Sequence, residues 1–184
     1  MSDLSNFQGL VAVREIDGQG MLTVRGDFSS MVLRSAVTGL AGVDFPGQRG
    51  ANVQGNRGLL WMSPDELAVL LPRAEASNAA EKLADQLKNE HALVVDVSDA
   101  RVHFEIEGRV VRETIAKCAP VDMHPDSFAP GELRRTRFGQ IAAGFWMGDE
   151  RTARIFCFRS VRDYMAGLLM AAADDHAEVA YFRK

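Results

Sequence analysis

Long apolar runs are missing from this 184-residue chain. None approaches the ~20 residues a helix needs to cross a bilayer, so no membrane contact is expected. The opening Met1-Ser2-Asp3-Leu4-Ser5-Asn6-Phe7 lacks the basic and apolar regions of a signal peptide. Cysteine is scarce: Cys118 and Cys157 are the only two, each in an apolar pattern. That excludes a disulfide framework and predicts buried free thiols in a reducing, cytoplasmic setting. An excess of positive charge is missing too. Against 25 Asp and Glu stand 21 Lys and Arg, a formal net charge of −4, so no global basic field draws the chain to nucleic acid or anionic lipid. The four histidines, His91, His103, His124 and His176, are scattered. They form no H-x-x-H, H-E-x-x-H or Cys/His cluster, and no metal site is predicted.

What remains is ordinary globular composition, 47% hydrophobic and 25% charged. The length suits one domain, residues 1–184, made of two small fused halves, 10–92 and 93–184. The clearest organising stretch is Arg57 to Pro72, in which two apolar runs flank the turn Ser63-Pro64-Asp65-Glu66. Its pattern returns at Ala143-Gly144-Phe145-Trp146-Met147-Gly148-Asp149-Glu150 followed by Ala153 to Phe158. Trp61-Met62 and Trp146-Met147 lie 85 positions apart. Two copies read as an internal duplication and are too few for a solenoid.

Along the chain, residues up to Gly9 read as a mobile arm. Leu10 to Ile16 and Met21 to Arg25 read as strands joined in a hairpin at Asp17-Gly18-Gln19-Gly20. Asp27 or Ser29 is placed to cap a helix whose apolar stripe is Val32, Leu33, Ala36, Val37 and Leu40. Val43 to Gly58 reads as a long irregular connection, mobile or shaped by a partner. After the Trp61 strand pair comes an amphipathic helix from Ala74 to about His91, with Ala76, Ala79, Ala80, Leu83 and Leu87 inside. The second half repeats the plan: a strand at Leu93 to Val97, and one at Val102 to Ile106 with His103 and Glu105 on the polar phase. A helix with Val110, Val111, Thr114, Ile115 and Cys118 inside then ends at Ala119-Pro120. A loop from Val121 to Glu132 leads to strands at Leu133–Phe138, Ile141–Met147 and Ala153–Phe158. The last helix is expected to be capped by Ser160 and to bury Val161, Tyr164, Met165, Leu168, Leu169 and Ala172. Glu178 to Phe182 reads as a closing strand. The fold class is α+β: two strand-strand-helix-strands-helix halves.

Candidate chemistry is thin. Asp65-Glu66 and Asp149-Glu150 occupy matching turns, and duplication explains their recurrence without catalysis. His124-Pro125-Asp126 reads as a loop turn. Gly47-Gln48-Arg49-Gly50 and Gly55-Asn56-Arg57-Gly58 resemble a phosphate cradle, but no Walker lysine is present and a strand, not a helix, follows. No catalytic, cofactor-binding or metal residue is therefore predicted. The densest basic spot is Arg134-Arg135-Thr136-Arg137, where Arg135 and Arg137 share a strand face. Arg49, Arg57, Arg135 and Arg137 are the candidates for a partner interface. Trp61 and Trp146 read as packing residues.

Leu60-Trp61-Met62-Ser63-Pro64-Asp65-Glu66 resembles the W-x-x-P-x-E signature of the folate-binding aminomethyltransferase family. Four further blocks sharpen the likeness: Asp96-Val97-Ser98-Asp99, Phe104-Glu105-Ile106-Glu107-Gly108, Val121 to Gly131, and Phe158-Arg159-Ser160-Val161-Arg162-Asp163-Tyr164. From Leu59 to Ala173 their order and spacing resemble the gamma-subunit branch of heterotetrameric sarcosine oxidases. The resemblance implies a pseudo-duplicated folate-binding-domain (aminomethyltransferase-like) fold. It also implies a small non-catalytic partner that stabilises or positions large subunits oxidising sarcosine to glycine. NAD, FAD, FMN and tetrahydrofolate are then expected on those large subunits and not on this chain. The aspartate that serves the pterin side in the folate enzymes has no matching residue; Asp44 is nearest, with unlike flanks. The alternative from another class is a stand-alone folate-dependent one-carbon transferase or folate-binding protein.

Overall fold

A computed structural model describes residues 7–181. Contacts group the chain into two compact units, Gly18–Arg101 and the segment up to Asp17 together with Val102 onward.

The first unit is built on β3 (Gln19–Arg25), α1 (Met31–Ala41), β4 (Ala51–Gln54), β5 (Arg57–Ser63), β6 (Glu66–Pro72), α2 (Ala76–Gln86) and β7 (Leu93–Asp96). Its antiparallel sheet runs β4-β5-β6-β3-β7. Alternate strand residues Leu22, Val24, Leu59, Leu67, Val69 and Leu71 share one core with Leu33 and Val37 of α1 and with Ala76, Ala79 and Leu83 of α2. One sheet face thus carries both helices, the arrangement that hides their apolar stripes from water.

The second unit holds β1 (Phe7–Gln8), β2 (Ala12–Glu15), β8 (Arg101–Glu107), α3 (Val111–Cys118), β9 (Leu133–Phe138), β10 (Ile141–Met147), β11 (Thr152–Phe158) and α4 (Arg162–Ala172). Its sheet order is β1-β2-β8-β11-β10-β9. Val13, Phe104, Ile106, Phe145, Met147 and Ile155 pack with Val111 and Ile115 of α3 and Met165 and Leu169 of α4.

The repeat is visible in the topology. β4-β5-β6-α2 and β9-β10-β11-α4 are the same meander and helix, and β3 and β8 hold the same sheet position. The first hairpin of each meander turns on two residues, Gly55-Asn56 and Gly139-Gln140. Both glycines have positive φ, 62° and 55°, which these tight turns need and a side chain would strain. At Gly139 an added Cβ would also meet the Tyr164 hydroxyl at 2.5 Å.

Several expectations are corrected. The hairpin between the first two strands does not form: β2 lies between β1 and β8, and β3 between β6 and β7, so both edges of each strand are taken. Ile16 still donates its N–H to the His103 carbonyl before the chain turns at Gly18, φ 74°. The expected arm contains β1, paired with β2; residues 1–6 lie outside the described residues. The irregular 43–58 segment contains β4, an edge strand of four residues, Ala51-Asn52-Val53-Gln54, too short for its alternation to stand out. Ser30, and not Asp27 or Ser29, caps α1 by accepting the Leu33 N–H. Asp27 instead takes the N–H of Ser29. Val32 is 52% exposed while Ala41 is buried, which shifts the α1 stripe. α2 stops at Gln86. Ser160 lies in a turn of 3-10 helix and makes no cap, and Tyr164 is exposed. Glu178 to Tyr181 is not a strand, and Phe182 lies outside the described residues.

Gly39 and Gly167 sit inside α1 and α4, both exposed, with open space where a Cβ would go. Alanine at either position is expected to stabilise by about 0.5–1 kcal/mol, since glycine loses the most backbone freedom in a helix. Urea denaturation of each single variant measures the gain.

Candidate partner-docking site

The glycine-rich connection after α1 is pinned within its own unit. Gly42, φ 70°, closes α1 with its N–H on the Thr38 carbonyl. Phe45 meets Phe28 edge-on at 5.3 Å and lies under the Arg34 guanidinium at 4.1 Å. The Asn52 side chain donates to the Asp44 carbonyl at 2.8 Å. Gly50 donates to the Gly47 carbonyl and receives the Trp61 N–H, closing a turn around Arg49. Arg49 is exposed and held at φ 61°, a conformation L-residues other than Asn and Asp rarely adopt. Arg57 is engaged on its own chain: its guanidinium pairs with Glu75 at 2.5 Å and reaches the Leu40 carbonyl at 3.4 Å. Arg135 and Arg137 are exposed on β9, the sheet's edge strand, and Arg137 also donates to the Gln140 carbonyl. Arginines on an edge strand keep it from pairing with stray strands, a role independent of any partner.

The 121–132 loop has a keystone that the sequence did not advertise. Arg112, on α3, is 7% exposed. Its Nη1 donates to the carbonyls of Met123 at 3.1 Å and Phe128 at 2.7 Å. Its Nε and Nη2 grip Glu150 Oε2 at 3.2 and 2.7 Å. Met123 and Phe128 are buried, so Arg112 fixes both ends of an exposed tip, His124-Pro125-Asp126-Ser127. Within the tip, Ser127 and Phe128 donate to the His124 carbonyl. The His124 N–H, followed by the Ser127 hydroxyl, holds the Asp122 carboxyl below its usual range. The tip is a turn, as read from His124-Pro125-Asp126.

Each carboxylate pair of the two matching turns is engaged within its own unit. Asp65 accepts from the Ser63 hydroxyl, which lowers its pKa, and Arg25 lies 3.5 Å from both Asp65 and Glu66. Asp149 takes the Arg151 N–H while Glu150 serves Arg112. Burial pushes the Cys118 thiol up to about 11, outweighing the charge of Lys117 beside it, so it stays protonated and unreactive at neutral pH. Among the described residues no three His, Cys, Asp or Glu side chains group as metal ligands.

Strand alternation places His103 in solvent, but it is 4% exposed, with its ring 6.0 Å from Phe156. Its neighbour in phase, Glu105, is 5% exposed and paired with Arg14 and Arg154. Alternation reports a wet face only where one face of a sheet meets water; here Arg14, Arg154 and the Phe156 ring pack against that face of β8. Trp146 is 2% exposed, and Gly144 beside it leaves room for the Phe156 ring, which any Cβ there would overlap. Trp61 is only half-buried, so the two tryptophans are not equivalent in packing.

A family model for the sarcosine oxidase gamma subunit matches residues 25–175. The chain belongs to the sarcosine oxidase gamma subunit family. Among gamma-family relatives, the sarcosine oxidase subunit gamma of Arthrobacter sp. is 29% identical over 149 residues, 78% of this chain and 70% of that one. The Corynebacterium sp. (strain P-1) subunit gamma is 28% identical over 175 residues, 92% and 83%. In shape, the chain is similar to one in the heterotetrameric sarcosine oxidase from Corynebacterium sp. U-96, solved in complex with pyrrole 2-carboxylate. That match has a TM-score of 0.83 at 22% identity and covers 95% of this chain and 90% of that one. It is also similar to the glycine cleavage system aminomethyltransferase T from Bartonella henselae (TM-score 0.64, 12% identity), with 89% of this chain matching 46% of that one. The aminomethyltransferase-like fold expected of the gamma family is the fold observed.

Proposed function

We propose that this chain is the gamma subunit of a heterotetrameric sarcosine oxidase and acts by binding, stabilising or positioning larger subunits that oxidise sarcosine to glycine. Membership of the gamma family across residues 25–175 carries the reading. The side chains support it: Asp65 and Asp149 serve their turns, Arg112 with Glu150 anchors the 121–132 loop, and Cys118 is packed in the core. NAD, FAD, FMN and tetrahydrofolate then belong to the large subunits, whose reacting groups this chain does not supply. The docking candidates are Arg49 and Arg57 in one unit, and Arg135 and Arg137 with the tip of the 121–132 loop in the other.

Arg49 is the cleanest probe among these residues, because Arg57 also holds Glu75. Arg49→Ala is expected to weaken co-purification with the large subunits by about tenfold while leaving the melting temperature within about 2 °C, as loss of one charge at an interface can do. Unchanged co-purification removes Arg49 from the surface.

The shared fold with an aminomethyltransferase favours one other reading, a folate-binding or one-carbon transferase protein acting alone. A fold does not by itself confer a ligand. Calorimetric titration of the purified chain with tetrahydrofolate separates the two: silence is expected, and saturable micromolar binding supports the other reading.

A further inference from the structure

A cavity of about 350 Å³ lies between α3, the start of the 121–132 loop and the chain's last described segment. Ala116, Val121 and Met123 form much of its floor, and Val179 and Tyr181 form a wall. That wall is unlike the rest of the molecule. After α4 the chain makes one turn of 3-10 helix at Asp175–Ala177, capped by the Asp174 side chain on the His176 N–H. It then runs without strand or helix to Tyr181, with Val179 64% and Tyr181 77% exposed.

A buried anion grips it. Glu113, on α3, is 4% exposed. Its Oε1 accepts the Val179 N–H at 2.6 Å, and the Tyr181 N–H also donates to the same carboxylate. Between these two donors stands Ala180 at φ 60°. A left-handed residue between two inward N–H groups makes a backbone nest, a concavity suited to an anion. Lys117 approaches Glu113 at 3.6 Å and donates to the Ala172 carbonyl at 2.9 Å, tying the same helix to the end of α4. Burial works against the Glu113 anion, and the Val179 N–H, Lys117 and the Tyr181 N–H outweigh it and keep the carboxyl below its usual range.

We propose that residues 174–181 form a releasable strap, latched by the Glu113 carboxylate in the nest of Val179, Ala180 and Tyr181, which closes the apolar cleft beside α3. The strap buries little apolar surface of its own and keeps a non-glycine residue in a strained conformation. The helix beneath it is anchored by Val111, Ile115 and Cys118 in the core. A segment with few apolar contacts opens well below the free energy of global unfolding. Opening exposes Glu113 and the cleft floor while α3 and α4 stay in place. This inference does not depend on the assembly reading.

Hydrogen exchange on the full chain tests it. In Glu113→Gln the amides of 174–181 should exchange about tenfold faster, as a charge-assisted bond gives way to a neutral one. Peptides from α3 and α4 should keep their rates. A second variant, ending after Ala177, should melt within about 3 °C of the full chain and gain fluorescence with 1-anilinonaphthalene-8-sulfonate, which reports the uncovered cleft. Unchanged exchange in Glu113→Gln overturns the latch, as does a loss of protection that spreads through α3 and α4. If Glu113→Gln does not fold, the shortened chain decides: cooperative folding with added dye binding supports the strap. Its failure to fold, or folding without added dye binding, refutes it.

Discussion

Phe145→Ala is expected to destabilise the protein by about 3–5 kcal/mol, the range for emptying a buried aromatic site. Phe145 is fully buried in the centre of β10, stacked on Phe128 at 5.1 Å and edge-on to Phe138 at 5.5 Å. The truncation removes the ring's transfer free energy and both aromatic contacts, and the surrounding β-strands restrict collapse into the space left behind. Phe128 belongs to the 121–132 loop, and the Arg134 guanidinium lies over its ring at 4.9 Å from the centroid. Loss of Phe145 therefore loosens the loop anchor as well as the sheet. Chemical denaturation measures the cost. Val32→Ala, which the apolar spacing of α1 places in the core, is expected to change stability by less than about 0.5 kcal/mol, because its side chain is mostly in water. Equal costs for the two substitutions would contradict the burial described here.

Arg112→Ala is expected to cost about 2–4 kcal/mol. The substitution leaves the buried carbonyls of Met123 and Phe128 without the donor that holds them. An orphaned buried acceptor costs about 1–3 kcal/mol each, and water entering the gap offsets part of the sum. Glu150 supplies the control. Its side chain is 62% exposed, so Glu150→Ala should cost less than about 1 kcal/mol although it breaks the same ion pair. A large asymmetry between the two variants shows that Arg112 acts on the loop's main chain and not chiefly through the salt bridge. The double variant Phe145→Ala, Arg112→Ala should fall short of additive, since both substitutions release Phe128.

The second meander and the amphipathic helix α2 were legible in the sequence. β9, β10 and β11 fall where expected, within a residue at each end, and α2 buries Ala76, Ala79 and Leu83 as its spacing predicts. What stayed hidden depends on partners distant in sequence. β2 and β3 look like a hairpin because nothing local says that each already has two neighbours. His103 and Glu105 look wet because alternation cannot see Arg14, Arg154 and Phe156, which pack against them. Arg112 and Glu113 look like surface residues of a short helix, and only the loop carbonyls and the nest they face explain their burial. β4 is four residues long, so its alternation of Ala51 and Val53 with Asn52 and Gln54 is too brief to mark it. The family resemblance, carried by ordered local blocks, was legible for the opposite reason: turns, caps and strand ends keep their residues in sequence order.

The central claim is that this molecule works by holding larger neighbours. The most direct measurement is co-expression with the large subunits of a sarcosine oxidase, followed by size-exclusion chromatography and an assay of sarcosine oxidation across the column. The account predicts that the chain elutes with the large subunits in fixed proportion, that activity follows that peak, and that the chain alone has none. Elution of the chain by itself, beside an equally active complex that lacks it, would contradict the account.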